Sequence, residues 1–154
     1  MTHAKMPSEV ANRIYDILVA NKVALYGADA MLFYGDQDRI PVSPTICVEA
    51  GTVERPIAGA MGPQGRVENA FTTYILIYYA RVQDVETTKR EMEAIAEATA
   101  TYLDNNPRLT LTGDDKLIHG YCRTIDHGYA RKNGTLMFGS RLTHTGKTKM
   151  QLGV

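Results

Sequence analysis

Three histidines, His119, His127 and His144, and two cysteines, Cys47 and Cys122, are the side chains whose types suit metal binding or nucleophilic chemistry. Zinc sites rest on short, repeated ligand spacings, such as an i, i+4 pair of histidines or a C-x-x-C pair. Neither spacing occurs, so no metal is expected. Asp126-His127 with Ser140 or Cys122 can be drawn as acid, base and nucleophile. Adjacent residues of a strand point to opposite faces, however, so Asp126 cannot orient the His127 ring, and no nucleophile stands on a sharp turn. Gly146-Lys147-Thr148 has the ending of a phosphate-binding loop. That motif also needs a glycine where Arg141 stands, and a following helix whose N-terminus holds the phosphate. Gly59, Gly62 and Gly65 have the spacing of neither a dinucleotide fingerprint nor a phosphate loop. The expectation is a chain with no catalytic residues and no cofactor.

What remains is charge. From Lys116 to Val154 there are seven lysines and arginines (Lys116, Arg123, Arg131, Lys132, Arg141, Lys147, Lys149) against one acid, Asp126. The rest of the chain is acidic by the same margin, so a formal charge of zero hides a dipolar molecule. Such a split suits pairing between copies, basic patch to acidic patch, or turning a basic surface toward a polyanion. A solvated basic face, a subunit interface and contact with a nucleic-acid backbone all fit it. No base-reading motif is present, so contact with nucleic acid would be non-specific and salt-sensitive.

The elements that must position these residues follow from periodicity. With 154 residues, 44% hydrophobic and 22% charged, the chain reads as one domain over 1–154 with a core of ordinary size. No run approaches a membrane span, and the first residues lack the apolar stretch of a secretory signal. Both cysteines fall in apolar strand patterns and read as reduced core thiols. A first helix is expected with Ser8 as its cap; Val10, Ile14, Ile17 and Leu18 mark its buried face and Gly27 its stop. Ala28–Arg39 is ambiguous. A strand is expected at Thr45–Ala50. Gly51–Val67 is then too rich in glycine and proline for regular structure, and reads as a long mobile loop, with Pro56, Gly59, Gly62 and Gly65 as its candidate contact residues.

Phe71–Arg81 is the strongest strand, apolar on both faces and hence central. Its tyrosines read as buried rings with hydroxyl partners, not as a stacking platform for bases. A second helix follows, capped by Asp84, with Val85, Thr88, Met92, Ile95, Ala96, Thr99, Tyr102 and Leu103 as its buried stripe and Asn105-Asn106-Pro107 as its end. Leu109–Thr112 suggests a short edge strand, Leu117–Asp126 an alternating strand, and Lys132-Asn133-Gly134 a turn into a final strand over Gly134–Lys149. In that strand Arg141, Thr143, Thr145 and Lys147 share one face and Leu136, Phe138 and Leu142 the other. The order α-β-β-α-β-β predicts an α+β fold: a mostly antiparallel sheet of four to five strands with two helices on one face.

Arg39-Ile40-Pro41 and Pro44 to Glu49, then Arg66 to Phe71 and Tyr74 to Tyr78, together resemble the tail terminator and neck proteins of tailed bacteriophages, including tail completion and collar proteins. The Val82-Gln83-Asp84 lead into the second helix and the closing run Arg141 to Lys149 fit the same pattern. The resemblance covers roughly residues 8–149. It implies a structural virion protein whose copies form a hexameric ring that caps the tail tube and joins tail to head. The implied partners are the tail tube protein, a head–tail connector or stopper protein, the tail sheath, and genomic double-stranded DNA passing non-specifically through the lumen, with no membrane. Its place would be the virion neck, assembled in the host cytoplasm. Arg131, Lys132, Arg141, Lys147 and Lys149 are the candidate interface or lumen residues. Another connector or collar protein of the same neck, a small cytosolic enzyme and a generic nucleic-acid-binding module are the alternatives.

Overall fold

The computed structural model describes residues 7–41, 44–54, 66–80, 85–109 and 117–151. Their elements run α1 (Pro7–Ala20), α2 (Lys22–Tyr26), β1 (Met31–Tyr34), β2 (Thr45–Glu54), β3 (Arg66–Ala80), α3 (Val85–Asp104), β4 (Leu117–Lys132) and β5 (Thr135–Gln151). The strands form one sheet in the order β1-β2-β3-β5-β4. All neighbours are antiparallel except β1, which runs parallel to β2. The fold is the expected α+β class, with a mostly antiparallel sheet and the helices on one face.

Alternation along β3 sets the layers. Phe71, Thr73, Ile75, Ile77 and Tyr79 are all buried against the helices. On β5 the matching residues are Phe138, Leu142 and His144, each fully buried. Val10, Ile14 and Leu18 of α1 and Met92, Ala96, Thr99 and Leu103 of α3 close this core from above. Tyr26 ties α2 to α3 through a 2.8 Å hydrogen bond with Thr99. The Thr99 hydroxyl already donates to the Ile95 carbonyl, so Tyr26 is the donor in that pair.

The structure corrects several boundaries. Helix α1 begins at Pro7, so Ser8 lies inside the first turn and is not its cap; proline suits that position because its missing N–H needs no partner there. The helix does not run on to Gly27 but breaks at Asn21, whose side chain donates back to the Ile17 carbonyl. The ambiguous stretch holds β1, a strand that precedes all the expected ones. Strands occupy both ends of the loop expected over Gly51–Val67, since β2 continues to Glu54 and β3 begins at Arg66. Gly51 sits at a bulge in β2, where a Cβ would lie 2.8 Å from the Thr72 carbonyl oxygen, a space no other residue fits. Leu109 is in a turn with φ 51° and not in a strand. Pro56, Gly59, Gly62, Gly65, Asp84 and the stretch 110–116 lie outside the described residues. Strand β4 continues past Asp126 to Lys132, and Asn133-Gly134, with φ of 49° and 79°, forms the tight turn into β5.

Candidate functional site

The helices cover one face of the sheet, and the other face carries exposed charged side chains together with Tyr74 and Tyr78. Register places Arg141, Thr143, Thr145 and Lys147 of β5 on this open face, with Tyr74, Leu76 and Tyr78 of β3 beside them. Arg141 and Lys147 are exposed, as the alternation of the sequence requires. The Arg141 guanidinium stands 5.4 Å from the centre of the Tyr74 ring and 3.5 Å from the Asp126 carboxylate. Both members of that ion pair are more than half exposed, so it contributes about 0–1 kcal/mol and exchanges partners readily.

Lys132 behaves differently. Its ammonium lies 2.6 Å from the Asp36 carboxylate and 4.9 Å from the centre of the Tyr78 ring, and its side chain is mostly covered. The Tyr78 hydroxyl donates to the other oxygen of Asp36 at 2.8 Å. Asp36 thus gathers β3 and β4 under the segment that leaves β1, and Lys132 is a structural clamp more than a free basic group. Burial, followed by the hydrogen bond and charge of Asp36, pushes the Tyr78 phenol well above its ordinary range. The same segment covers Cys47, whose thiol burial raises to about 11.

Arg131 is the register partner of Leu136 and falls on the helix side of the sheet, opposite to its neighbour Lys132. The basic residues picked out from the sequence are therefore divided: Arg141 and Lys147 stand together on the open face, Lys132 is clamped at its end, and Arg131 is turned away. Lys149 continues the backbone of β5, and its side chain lies outside the described groups.

The catalytic combinations separate as strand geometry demands. Asp126 is on the open face with Arg141, whereas His127 is on the helix side, 2.7 Å from Ser140 through Nδ1. Ser140 is buried, so this contact is a strap between β4 and β5. Cys122 is half-buried beside Asp104, and burial raises its thiol to about 12. Among the described residues no group of three His, Cys, Asp or Glu side chains is placed to hold a metal ion, and no helix is long and apolar enough to cross a membrane.

Sequence reasoning missed Asp36 and the glycine pair Gly128 and Gly139. These two are register partners near the β4 edge of the open face, where they leave a concavity of about 260 Å³ bordered by Leu76, Tyr78, Asp126 and Arg141. The pairing was hidden because an irregularity between Cys122 and Thr124 swaps the faces of β4, so the alternation of its earlier part does not carry over to Gly128.

No family model matches this chain, and no curated protein does. Among solved structures it is similar to a chain of the virion of the native gene transfer agent (GTA) particle, with a TM-score of 0.51 and 13% identity, over 90% of this chain and 93% of the other. At that identity the likeness is one of fold. The arrangement of sheet and helices described above is similar, nearly end to end, to that of a chain of a virion particle.

Proposed function

We propose that this chain is a structural protein of a phage-like virion, a tail terminator whose copies close into a hexameric ring. The ring caps the tail tube, stops its growth and joins tail to head, and genomic DNA passes through its lumen. The observation that carries this reading is the near end-to-end fold match to a chain of a virion particle. The chain has no catalytic role in this reading, and its partners are other copies of itself, the tube protein and the connector or stopper. A closed ring needs a heterologous contact in which two unlike patches meet. The open basic face and the helix layer, on opposite sides of one sheet, supply two such patches.

The test is made in particles and with purified protein. Particles lacking this chain are expected to carry tubes of uncontrolled length that fail to join heads. Normal tail length and normal joining without it would overturn the terminator role. Light scattering on the purified chain, with negative-stain images of particles, is expected to show closed rings; their absence from both would overturn the ring.

A further inference from the structure

The two edges of the sheet differ. At one, β1 is four residues long, and its Leu32 carbonyl faces the Tyr15 hydroxyl at 3.5 Å. At the other, β4 runs for 16 residues. Its first half is blunted. Register irregularities fall between Leu117 and His119 and between Cys122 and Thr124, and the Cys122 N–H donates to the Asp104 carboxylate at 2.8 Å. From Thr124 to Lys132 the strand is regular, with no bulge and no proline. Bulges and prolines are among the devices that keep an edge from pairing with another chain.

The turn fixes which way the backbone of that run points. Two residues, Asn133 and Gly134, join Lys132 to Thr135, so this first pair is hydrogen-bonded. Bonded and unbonded pairs then alternate along antiparallel strands. Thr124, Asp126, Gly128 and Ala130 therefore bond to β5. Ile125, His127, Tyr129 and Arg131 turn their N–H and C=O groups away from the sheet, where no described strand meets them. Side chains do not close this edge, since His127, Tyr129 and Arg131 are exposed, Tyr129 by 57%. A row of such groups is satisfied by another β-strand.

We infer that β4 of one copy pairs antiparallel with β4 of a second copy, across a two-fold axis at Gly128, and so joins the two sheets. Outward groups must meet outward groups, and the pairing that uses the whole of Thr124–Lys132 is centred on Gly128. Ile125 then stands opposite Arg131 of the other copy, His127 opposite Tyr129, Asp126 opposite Ala130 and Thr124 opposite Lys132. No like charges meet directly, and the glycines at the centre bring no side chains together. Within one chain a Cβ on Gly128 would meet nothing within 4 Å, so its own fold does not call for glycine there. The contact is isologous and closes on itself. It is independent of the ring, which needs two unlike patches.

Single cysteines locate the axis. In an unbonded pair the two Cα atoms lie about 4.5 Å apart, within disulfide range. Oxidised Gly128→Cys is expected to give at least ten times more linked dimer than Asp126→Cys, Ala130→Cys or the unsubstituted chain, the last a control for Cys47 and Cys122. Asp126→Cys mixed with Ala130→Cys is expected to link, although neither links alone. Equal linking at all three positions would overturn the pairing, as would a monomer by light scattering at every concentration. Rings without a link at Gly128→Cys would overturn the pairing and leave the ring standing. A linked dimer with no rings in solution or in particles would overturn the ring and leave the pairing. In a second measurement Tyr129→Pro removes an outward N–H and no bond to β5, so the dimer should weaken at least tenfold while circular dichroism stays native. An unchanged dimer in the folded variant would overturn the pairing, and the cysteine series decides if that variant does not fold.

Discussion

At His144 an imidazole is sealed under the helices, fully buried and with no hydrogen-bond partner on either ring nitrogen among the described residues. Thr73, its register partner on β3, also buries an oxygen with no partner among the described residues. Burial lowers the pKa of His144 to about 4, against a smaller opposing pull from Asp104. The unfolded chain binds the same proton near 6.5, so between about pH 6.5 and 4 it holds more protons than the folded chain. Stability should therefore fall as pH drops through that window, by about 3 kcal/mol at its lower end. Thermal unfolding followed from pH 7 to pH 4 checks this, and His144→Leu should flatten the dependence. That variant removes two unpaired buried nitrogens for an apolar group of similar size, so it should be neutral or gain about 1 kcal/mol at pH 7. Asp36 is the opposite case, a surface acid with two partners. Asp36→Ala leaves the Lys132 ammonium and the Tyr78 hydroxyl unanswered, and should cost about 1–3 kcal/mol in chemical denaturation.

Among the elements, the β4–β5 hairpin depends most on its turn. Both Asn133 and Gly134 have positive φ, which a β-branched residue reaches only with strain. Asn133→Val should cost about 1–2 kcal/mol, seen as a lower denaturant midpoint with an unchanged slope. This turn was legible in the sequence, as were α3 and the faces of β3 and β5, because each is written in local spacing. The faces of Arg141 and Lys147 were legible for the same reason. Strand β1 was not, since four residues have no period of their own and become a strand only by pairing in parallel with β2. The ends of β2 and β3 were misjudged because Gly51 reads as a stop and serves as a bulge. The clamp on Lys132 could not be read at all, because Asp36 lies 96 residues away in sequence.

For the molecule as a whole, the hairpin is basic and the remainder acidic, a split that suits the ring proposed above. The outer face of α3 exposes Glu86, Glu91, Glu93 and Glu97, while the open face of β5 exposes Arg141 and Lys147. Reversing Arg141 and Lys147 together to Glu should leave the monomer folded, since neither side chain is in the core. Ring mass measured by light scattering should fall if they meet a neighbouring copy. Normal rings with defective DNA retention in particles would place them at the lumen instead. Fully infectious particles with normal rings would show that this face is only solvated. Ring formation by the native chain should also weaken as salt rises, because exposed charges are screened over about 8–10 Å at ordinary ionic strength.

The position of β5 in the sheet also bears on synthesis. It is the last of the described elements to leave the ribosome, yet it lies between β3 and β4 and is paired with β3 from Arg66 to Ala80. Until it arrives, one edge of β3 stays open and the fold cannot close. The concavity beside Gly128 and Gly139 and its Arg141 rim are completed in the same step, because the hairpin supplies these residues. Pairing of strands so distant in sequence is slow. A growing chain therefore has no complete open face to offer another protein until its sheet has closed.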